Sequence, residues 1–335
     1  MSHTIIEYAK LLRLPGLGGL AIPPIFGALS VGMYDLNSLV ILFVIGALSA
    51  IYGFVINDYA DVQLDSLIPE LKDKPLVKGV LTRKTAVAVS IFSVILTFFF
   101  TFLLWKGETL TNHRFAAMGC LVLAGLLGSI YNLYGKKIIA SDFLVSTSIS
   151  LVFLFGALSF SNNLGILSWA IFFLTFNQAF HMNAVEGGLK DADHDYLMGV
   201  KNIALRLGVR VEVDTIFVPI HFKVLGVGIR LFSILLVFLP FLYGIDFYLW
   251  QIFLLVALLS IILFIEKRLL YRSVFNRTDI RKLIAGATFL RYMVVPIMII
   301  GHIGIIRGSI LVFLPIIWYL FFTPLLGIRL FQPEM

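Results

Sequence analysis

Long runs of apolar residues, separated by polar connections, occupy most of this chain. Ten runs can be traced, and each has the length of roughly 18 or more residues that spans a membrane as an α-helix. The runs lack the alternation of apolar and polar positions that the strands of a membrane β-barrel require. The pattern therefore predicts an all-α, polytopic bundle of membrane helices. The runs lie at about residues 14–34, 36–57, 85–105, 115–134, 141–161, 165–187, 222–243, 246–265, 284–306 and 309–331.

The connections alternate between long and short, and the basic residues follow the same alternation. Of the 26 lysines and arginines, Lys106, Arg114 and Arg307 fall on the side of the short connections, and Arg291 lies inside a run. Because cytoplasmic loops are enriched in Lys and Arg, we expect both termini and the long loops to be cytoplasmic. The long loops cover residues 58–84, 188–221 and 266–283.

The composition agrees with an integral membrane protein and excludes several other classes. Hydrophobic residues make up 60% of the 335 residues and charged residues 13%, whereas a soluble domain carries roughly 25% charged residues. The net charge of +7 follows the membrane topology, so no nucleic-acid partner is expected. The single cysteine, Cys120, excludes an intramolecular disulfide and a cysteine metal site. The first run lacks a small-residue cleavage site and is interpreted as a retained helix. No linker divides the chain, which predicts one domain over residues 1–335.

A first acidic cluster follows the second run, and charges at the edge of a membrane are usually kept for a function. If the helix continues beyond the run, Asn57, Asp61 and Asp65 lie on one face, with Asp58 close to them. Carboxylates at this spacing repel one another, and a divalent cation would remove the repulsion. Their oxygens are hard ligands suited to Mg²⁺, which also binds substrate phosphates.

A second acidic cluster follows the sixth run and repeats the spacing of the first. Asp191 and Asp195 are four residues apart, as Asp61 and Asp65 are, and four runs separate the equivalent points. The repetition suggests the duplication of a four-helix unit. A single acidic cluster is more often solvated surface, but two clusters with one spacing, each at a helix end, favour a site. Together they would hold one or two metal ions bridged by a diphosphate.

Basic residues stand near both clusters. Metal ions and lysines together hold a diphosphate and stabilise it as a leaving group. Positive-inside topology alone would place most of these residues here, so each one is a weak candidate by itself. The candidates for diphosphate binding are Arg13, Lys74, Lys78, Lys136, Lys190 and Lys201.

The segment Asn57–Asp65 reads NDxxDxxxD and resembles the first signature of the UbiA superfamily of membrane prenyltransferases. Lys74-Pro75-Leu76 stands where that family usually has Arg-Pro-Leu. The stretch Asp191–Gly208 is similar to the second signature, DxxxDxxxGxxT…RLG, with Asn202 in place of the usual Thr or Ser. The similarity spans about residues 10–306.

The resemblance implies a nine-helix core, made of two four-helix pseudo-repeats plus one helix, with 309–331 as an extra C-terminal membrane helix. It implies catalytic carboxylates at Asp61, Asp65, Asp191 and Asp195. The Mg²⁺ ligands would be these four together with Asn57, and Asp58 is a further motif position.

The resemblance also implies the reaction. An isoprenyl group would pass from an allylic prenyl diphosphate to a lipophilic acceptor, through ionisation of the diphosphate and a carbocation-like intermediate. The acceptor would be a quinone-precursor aromatic or a geranylgeranylglyceryl-phosphate-type lipid. Tyr131 and Tyr134 lie near the family's tyrosine-rich end of helix four and are candidates to stabilise the cation.

Two other classes use similar residues. In an ion-coupled transporter, acidic residues usually lie near the membrane midplane on broken helices, whereas these lie at helix ends. A CDP-alcohol-type phosphotransferase also uses clustered aspartates with a divalent metal, but its ordered pair of motifs, DGxxAR and GxxxDxxxD, does not occur in this sequence.

Overall fold

A computed structural model describes residues 3–68 and 71–327, and most of these residues are helical. The first half contains α1 (His3–Leu11), α2 (Leu17–Leu20), α3 (Pro23–Ser30), α4 (Leu36–Asp65), α5 (Arg83–Leu104), α6 (Asn112–Tyr134) and α7 (Asp142–Leu158). The second half contains α8 (Ile166–Phe180), α9 (Gly188–Lys190), α10 (Ala192–Leu197), α11 (Ile203–Arg206), β1 (Arg210–Glu212), β2 (Thr215–Phe217), α12 (Ile220–Leu242), α13 (Leu249–Leu270), α14 (Arg277–Ile303) and α15 (Ile305–Leu325).

Each of the ten predicted runs coincides with helical structure, which confirms the helical membrane bundle. Among the described residues, seven helices are long and apolar enough to cross a membrane, and the broken pair Thr4–Leu11 and Leu14–Ser30 makes a possible eighth. Helix α7 has 17 residues, fewer than the roughly 20 that span the hydrocarbon core. Helix α8 has 15 residues and continues through a π-helical turn, His181–Gly187, into α9. The nine-helix count therefore stays a prediction. Residues 328–331 of the last predicted run lie outside the described residues.

Two helix boundaries differ from the apolar pattern and bear on function. Helix α4 runs past the end of its apolar run to Asp65, so the first acidic cluster is helical. Helix α14 begins at Arg277 and not near 284, because Asn276 caps its first turn by accepting from the Asp279 backbone N–H at 3.1 Å. The predicted loop 266–283 is thus much shorter in the structure.

The chain forms two compact units. Unit 1 contains α1 to α6 and the second halves of α7 and α15. Within it, α4 packs along α5. Buried apolar side chains also join α1, the end of α4, the following connection and the start of α5, and so anchor the segment that carries the first acidic cluster. They are Leu11, Val55, Leu76, Leu81 and Ala86.

Unit 2 comprises residues 134–150 and 163–313. Within it, α8 packs against α12, and α13 packs against α14. Between α8 and α9 the chain makes a π-helical turn, His181–Gly187. Buried side chains surround this turn and the start of the second acidic cluster; they include Phe180, Val185, Leu189, Phe222 and Leu270.

Candidate active site

The first acidic cluster occupies the last turns of α4. This helix has 30 residues, which corresponds to about 45 Å at 1.5 Å per residue, whereas the hydrocarbon core is about 30 Å thick. The helix is thus longer than the hydrocarbon core is thick, and the acidic residues lie in its last turns.

Two predicted phosphate-binding cations, Arg13 and Lys74, lie against this cluster. Lys74 Nζ is 2.9 Å from Asp58 Oδ1 and 2.7 Å from Asp65 Oδ2, so that it bridges two carboxylates seven positions apart on α4. Arg13 Nη2 is 2.9 Å from the same Asp58 oxygen. Both carboxylates are buried. The structure therefore shows Asp58 and Asp65 paired with cations of the chain itself.

Arg13 reaches Asp58 through an unusual backbone conformation. Its φ of 47° and ψ of 45° are left-handed, between α1 and the short helical turn Leu14–Gly16. Such a conformation costs a non-glycine residue about 1 kcal/mol or more and often marks a functional site. The guanidinium also lies 4.9 Å from the centroid of the Phe54 ring. The break in the first membrane segment thus directs a cation towards the acidic end of α4.

The other predicted ligands of this cluster, Asn57 and Asp61, lie together on a half-buried face. Asn57 Nδ2 is 3.4 Å from Asp61 Oδ2, so an amide and a carboxylate are adjacent, as the four-residue spacing predicts. Lys78 pairs at 2.8 Å with Asp73, whose side chain is 79% exposed. Its predicted role in diphosphate binding stays a prediction.

The second acidic cluster begins at Asp191, directly after α9, and continues into α10. Asp195 Oδ2 accepts from Asn202 Nδ2 at 2.6 Å. Asn202 also caps α11, since its Oδ1 accepts from the Leu205 N–H at 2.8 Å. The amide at position 202, where the family usually has Thr or Ser, therefore fixes both Asp195 and the next helix.

The electrostatics of this cluster favour a bound cation. Burial raises the pKa of Asp195 to about 7, and the adjacent charge of Asp191 acts in the same direction. The hydrogen bond from Asn202 and the charges of Lys136 and Lys190 oppose this increase. A divalent cation beside the two carboxylates would favour their charged forms.

Three predicted lysines lie at the second cluster. Lys190 Nζ is 3.4 Å from Asp191 Oδ2. The Lys201 N–H donates to the Lys136 carbonyl at 2.9 Å, which ties the turn after α6 to the loop after α10. Tyr131 is partly buried near the end of α6, and Tyr134 is 54% exposed. The role of the tyrosines in stabilising a cation stays a prediction.

Arg277 is a residue of this site that the sequence analysis missed. Its Nη2 is 2.5 Å from Asp193 Oδ1 and 2.8 Å from His194 Nδ1, and its Nε donates to the Lys190 carbonyl at 3.2 Å. Asp193 and His194 thus turn towards Arg277. The sequence contains one sign of its position: Asn276, directly before Arg277, is a residue type that favours the start of a helix.

The chemistry of these donors fits Mg²⁺. Each cluster offers carboxylate oxygens next to an amide, and a lysine ammonium lies within 3.4 Å of a carboxylate in each, Lys74 in the first and Lys190 in the second. Asp61, Asp191 and Asp195 are partly exposed, whereas Asp58 and Asp65 are buried. Asp58 and Asp65 would hold Arg13 and Lys74 in position, or they would bind the metal after these two cations move away.

The two acidic clusters on a helical membrane scaffold define the class: a polytopic membrane protein with acidic helix ends that can bind a divalent metal. Residues 20–289 match the UbiA prenyltransferase family. The chain belongs to that family, and the prediction of a membrane prenyltransferase is confirmed. The match also decides against the transporter and the CDP-alcohol phosphotransferase.

Relatives of known function and structure agree with this family. The digeranylgeranylglyceryl phosphate synthase of Saccharolobus solfataricus is 28% identical over 255 residues, 70% of this chain and 84% of that protein. The 4-hydroxybenzoate octaprenyltransferase of Saccharophagus degradans is 37% identical over 104 residues, 29% of this chain and 34% of that protein. A UbiA homologue of Archaeoglobus fulgidus, solved with GPP and Mg²⁺, shares the fold, with a TM-score of 0.62, 16% identity and coverage of 89% of this chain and all of that one.

Proposed function

We propose that this protein transfers an isoprenyl group from an allylic prenyl diphosphate to a glycerophosphate-type lipid, in a reaction that depends on Mg²⁺. The observation that carries the proposal is the repeated pair of carboxylates, Asp61 with Asp65 and Asp191 with Asp195, each beside lysines. The predicted Mg²⁺ dependence agrees with the relative solved with GPP and Mg²⁺.

Asn57, Asp61 and Asp65 would hold Mg²⁺ at the first cluster, and Asp191 and Asp195 would hold it at the second. Bound Mg²⁺ supplies positive charge that stabilises the diphosphate as a leaving group. Lys136, Lys190 and Lys201 donate to the diphosphate oxygens. Arg13 and Lys74 keep the first cluster close to neutral while no substrate is bound.

The transfer breaks the bond between the allylic carbon and the diphosphate oxygen, and the bonding electrons leave with the diphosphate. A lone pair on the acceptor oxygen then forms the new bond to the allylic carbon. A carboxylate of the second cluster accepts the proton of that acceptor group. Tyr131 and Tyr134 stabilise the developing cation by cation–π contact, and the apolar surroundings exclude water that would otherwise hydrolyse it.

The choice of a glycerophosphate acceptor rests on extent of similarity. The relative that makes digeranylgeranylglyceryl phosphate aligns with 70% of this chain, whereas the 4-hydroxybenzoate relative aligns with 29%. The Lys190-Asp191 start of the second signature also resembles the lipid branch, although the menaquinone-type branch shares it. A cytoplasmic active site, with both termini on the same side, is proposed from the distribution of Lys and Arg.

The test is an acceptor comparison with purified protein in detergent. Geranylgeranyl diphosphate and Mg²⁺ are incubated with geranylgeranylglyceryl phosphate or with 4-hydroxybenzoate, and products are detected by mass. We expect the doubly prenylated glycerophosphate. Product with 4-hydroxybenzoate alone would overturn the acceptor but keep the reaction class, and no product with either would contradict both.

A further inference from the structure

Five ionisable side chains are buried together inside unit 2, outside the two acidic clusters. Each is at most 7% exposed. Charges within membrane helices are costly and are usually kept for a function. The residues come from the π-helical turn, α12, α13 and α14, and they are His181, Glu186, Arg230, Glu266 and Arg291.

Glu186 is the centre of this buried network. Both of its carboxylate oxygens accept from Arg291, with Nη2 3.0 Å from Oε2. Its Oε1 also accepts from Arg230 Nη2 at 3.1 Å. Arg230 Nε lies 3.4 Å from Glu266 Oε2, and Arg291 Nη2 donates to Thr288 Oγ1 at 2.8 Å. Glu186 is thus held from α12 and α14 at once.

His181 contacts three members of the network. Its Nδ1 lies 2.6 Å from Arg230 Nη2 and 3.4 Å from Glu186 Oε1. Its Nε2 lies 2.9 Å from Glu266 Oε1. The negative charges of the two glutamates balance the positive charges of the two arginines.

This balance argues against a further metal centre. His181, Glu186 and Glu266 offer ligand atoms within 4.8 Å of one another, which is compatible with metal binding. However, Arg230 and Arg291 already occupy the carboxylates, and Arg230 occupies His181 Nδ1. A cation would have to displace two guanidiniums, so the group is a closed ion-pair network.

The network lies on the segment that leads into the second acidic cluster. Glu186 belongs to the π-helical turn, and the Asp191 N–H donates to the Gly187 carbonyl at 3.0 Å. A Cβ at Gly188 would lie 2.6 Å from the Ala204 Cβ, so this backbone packs tightly on α11. Since α11 is capped by Asn202, which also binds Asp195, the same segment supports both carboxylates of the cluster.

We propose that the buried network is a positioning device for the second acidic cluster. Glu186, held by Arg230 and Arg291, fixes the π-helical turn so that Lys190 and Asp191 are presented correctly to the metal-bound diphosphate. Turns of this kind inside α-helices are frequent at functional sites. Glu186 is a positioning residue and does not itself touch the substrate. The inference rests on the proposed function in one respect, the binding of Mg²⁺ and diphosphate by the second cluster.

The test replaces Glu186 by glutamine, which keeps the size of the side chain and removes its charge. Purified, folded variants are compared by the Mg²⁺ concentration that gives half-maximal binding of geranylgeranyl diphosphate. Amide hydrogen exchange over residues 187–195 is measured without Mg²⁺. We expect the half-maximal Mg²⁺ concentration to rise about 10-fold or more, as for other residues that orient metal ligands, and exchange in this segment to accelerate.

Gln251→Leu is the matched control. Gln251 is fully buried and donates to the Met298 carbonyl at 2.7 Å, so its loss also perturbs a buried contact between α13 and α14. It lies on the same helix as Glu266, about 22 Å away along the axis. We expect Gln251→Leu to have the same half-maximal Mg²⁺ concentration as the unmodified protein, and the same rate of amide hydrogen exchange over residues 187–195.

The outcomes separate this inference from the proposed function. If the unmodified protein shows no Mg²⁺-dependent binding of the diphosphate, the proposed function fails. If it does, and Glu186→Gln behaves like the control, the positioning role is overturned. If Glu186→Gln does not fold, Arg291→Lys is used instead, because it keeps the positive charge and loses the two-point contact with Glu186. An unchanged half-maximal Mg²⁺ concentration in Arg291→Lys would also overturn the positioning role.

Discussion

Replacing Lys74 by methionine removes the cation that bridges the first acidic cluster. Lys74 Nζ contacts Asp58 and Asp65 at 2.9 and 2.7 Å, and the two carboxylate side chains are only 5% and 7% exposed. Methionine fills most of the same space without the charge. Asp58 keeps its contact with Arg13, but Asp65 loses a close partner in a poorly hydrated position.

The expected magnitude follows from burial. Removing one partner of a buried ion pair costs about 3–5 kcal/mol. Lys74 is 18% exposed, so water can partly replace it, and we expect a loss of about 2–4 kcal/mol in the free energy of unfolding. Lys78→Met is the matched control, because Lys78 and its partner Asp73 are 36% and 79% exposed. An exposed pair of this kind contributes about 0–1 kcal/mol.

The assay is unfolding by SDS in mixed micelles, with Asp65→Asn and the double variant included. The double-mutant cycle isolates the interaction between Lys74 and Asp65, for which we expect a coupling of about 1.5–3 kcal/mol. Lys74→Arg should recover part of the stability, since it keeps the charge. If Lys74→Met and Lys78→Met unfold within about 0.5 kcal/mol of each other, the bridge does not stabilise the cluster.

Three further predictions follow from the site and the topology. Asp195→Ala should abolish prenyl transfer while the protein stays folded by size-exclusion chromatography and thermal unfolding; full activity would exclude Asp195 as a ligand. Gly188→Ala should weaken Mg²⁺-dependent diphosphate binding, because the added Cβ collides with α11. Gly187→Ala should have a much smaller effect, because its Cβ meets its nearest atom at 3.4 Å. Equal effects of the two substitutions would contradict the packing of Gly188 on α11. For the topology, Cys120 is replaced by serine and a single cysteine is introduced at Val213 or at Glu108. A thiol reagent that does not cross membranes should label position 213 from the cytoplasmic side and position 108 from the other side. The reverse labelling would invert the proposed orientation.

Much of the fold follows from local patterns in the sequence. The apolar runs predict the helices, since lipid leaves a membrane-spanning segment few other ways to satisfy its backbone. The sequence places Asn57, Asp61 and Asp65 on one face on the condition that the helix continues beyond its apolar run, and α4 does continue to Asp65. The same four-residue spacing predicts that Asp191 and Asp195 belong to the site. These features depend on neighbours within one or two helical turns.

The features that were missed depend on residues far apart in the chain. Glu186 and Arg291 are separated by 105 positions, and no local pattern indicates that they pair. Arg291 was visible as a charge inside an apolar run, but its partner was not. The left-handed backbone of Arg13 was hidden too, because it is stabilised by contacts with α4 and not by a turn residue such as glycine.

Metal-dependent prenyl transfer is tested by the mass of the product formed from geranylgeranyl diphosphate and geranylgeranylglyceryl phosphate, with Mg²⁺ or with EDTA. The unmodified protein and Asp61→Ala are compared at equal concentrations of folded protein. We predict prenylated product from the unmodified protein with Mg²⁺, and none with EDTA or from Asp61→Ala. Equal product with EDTA, or from Asp61→Ala, would contradict a metal-dependent prenyl transfer at these acidic helix ends.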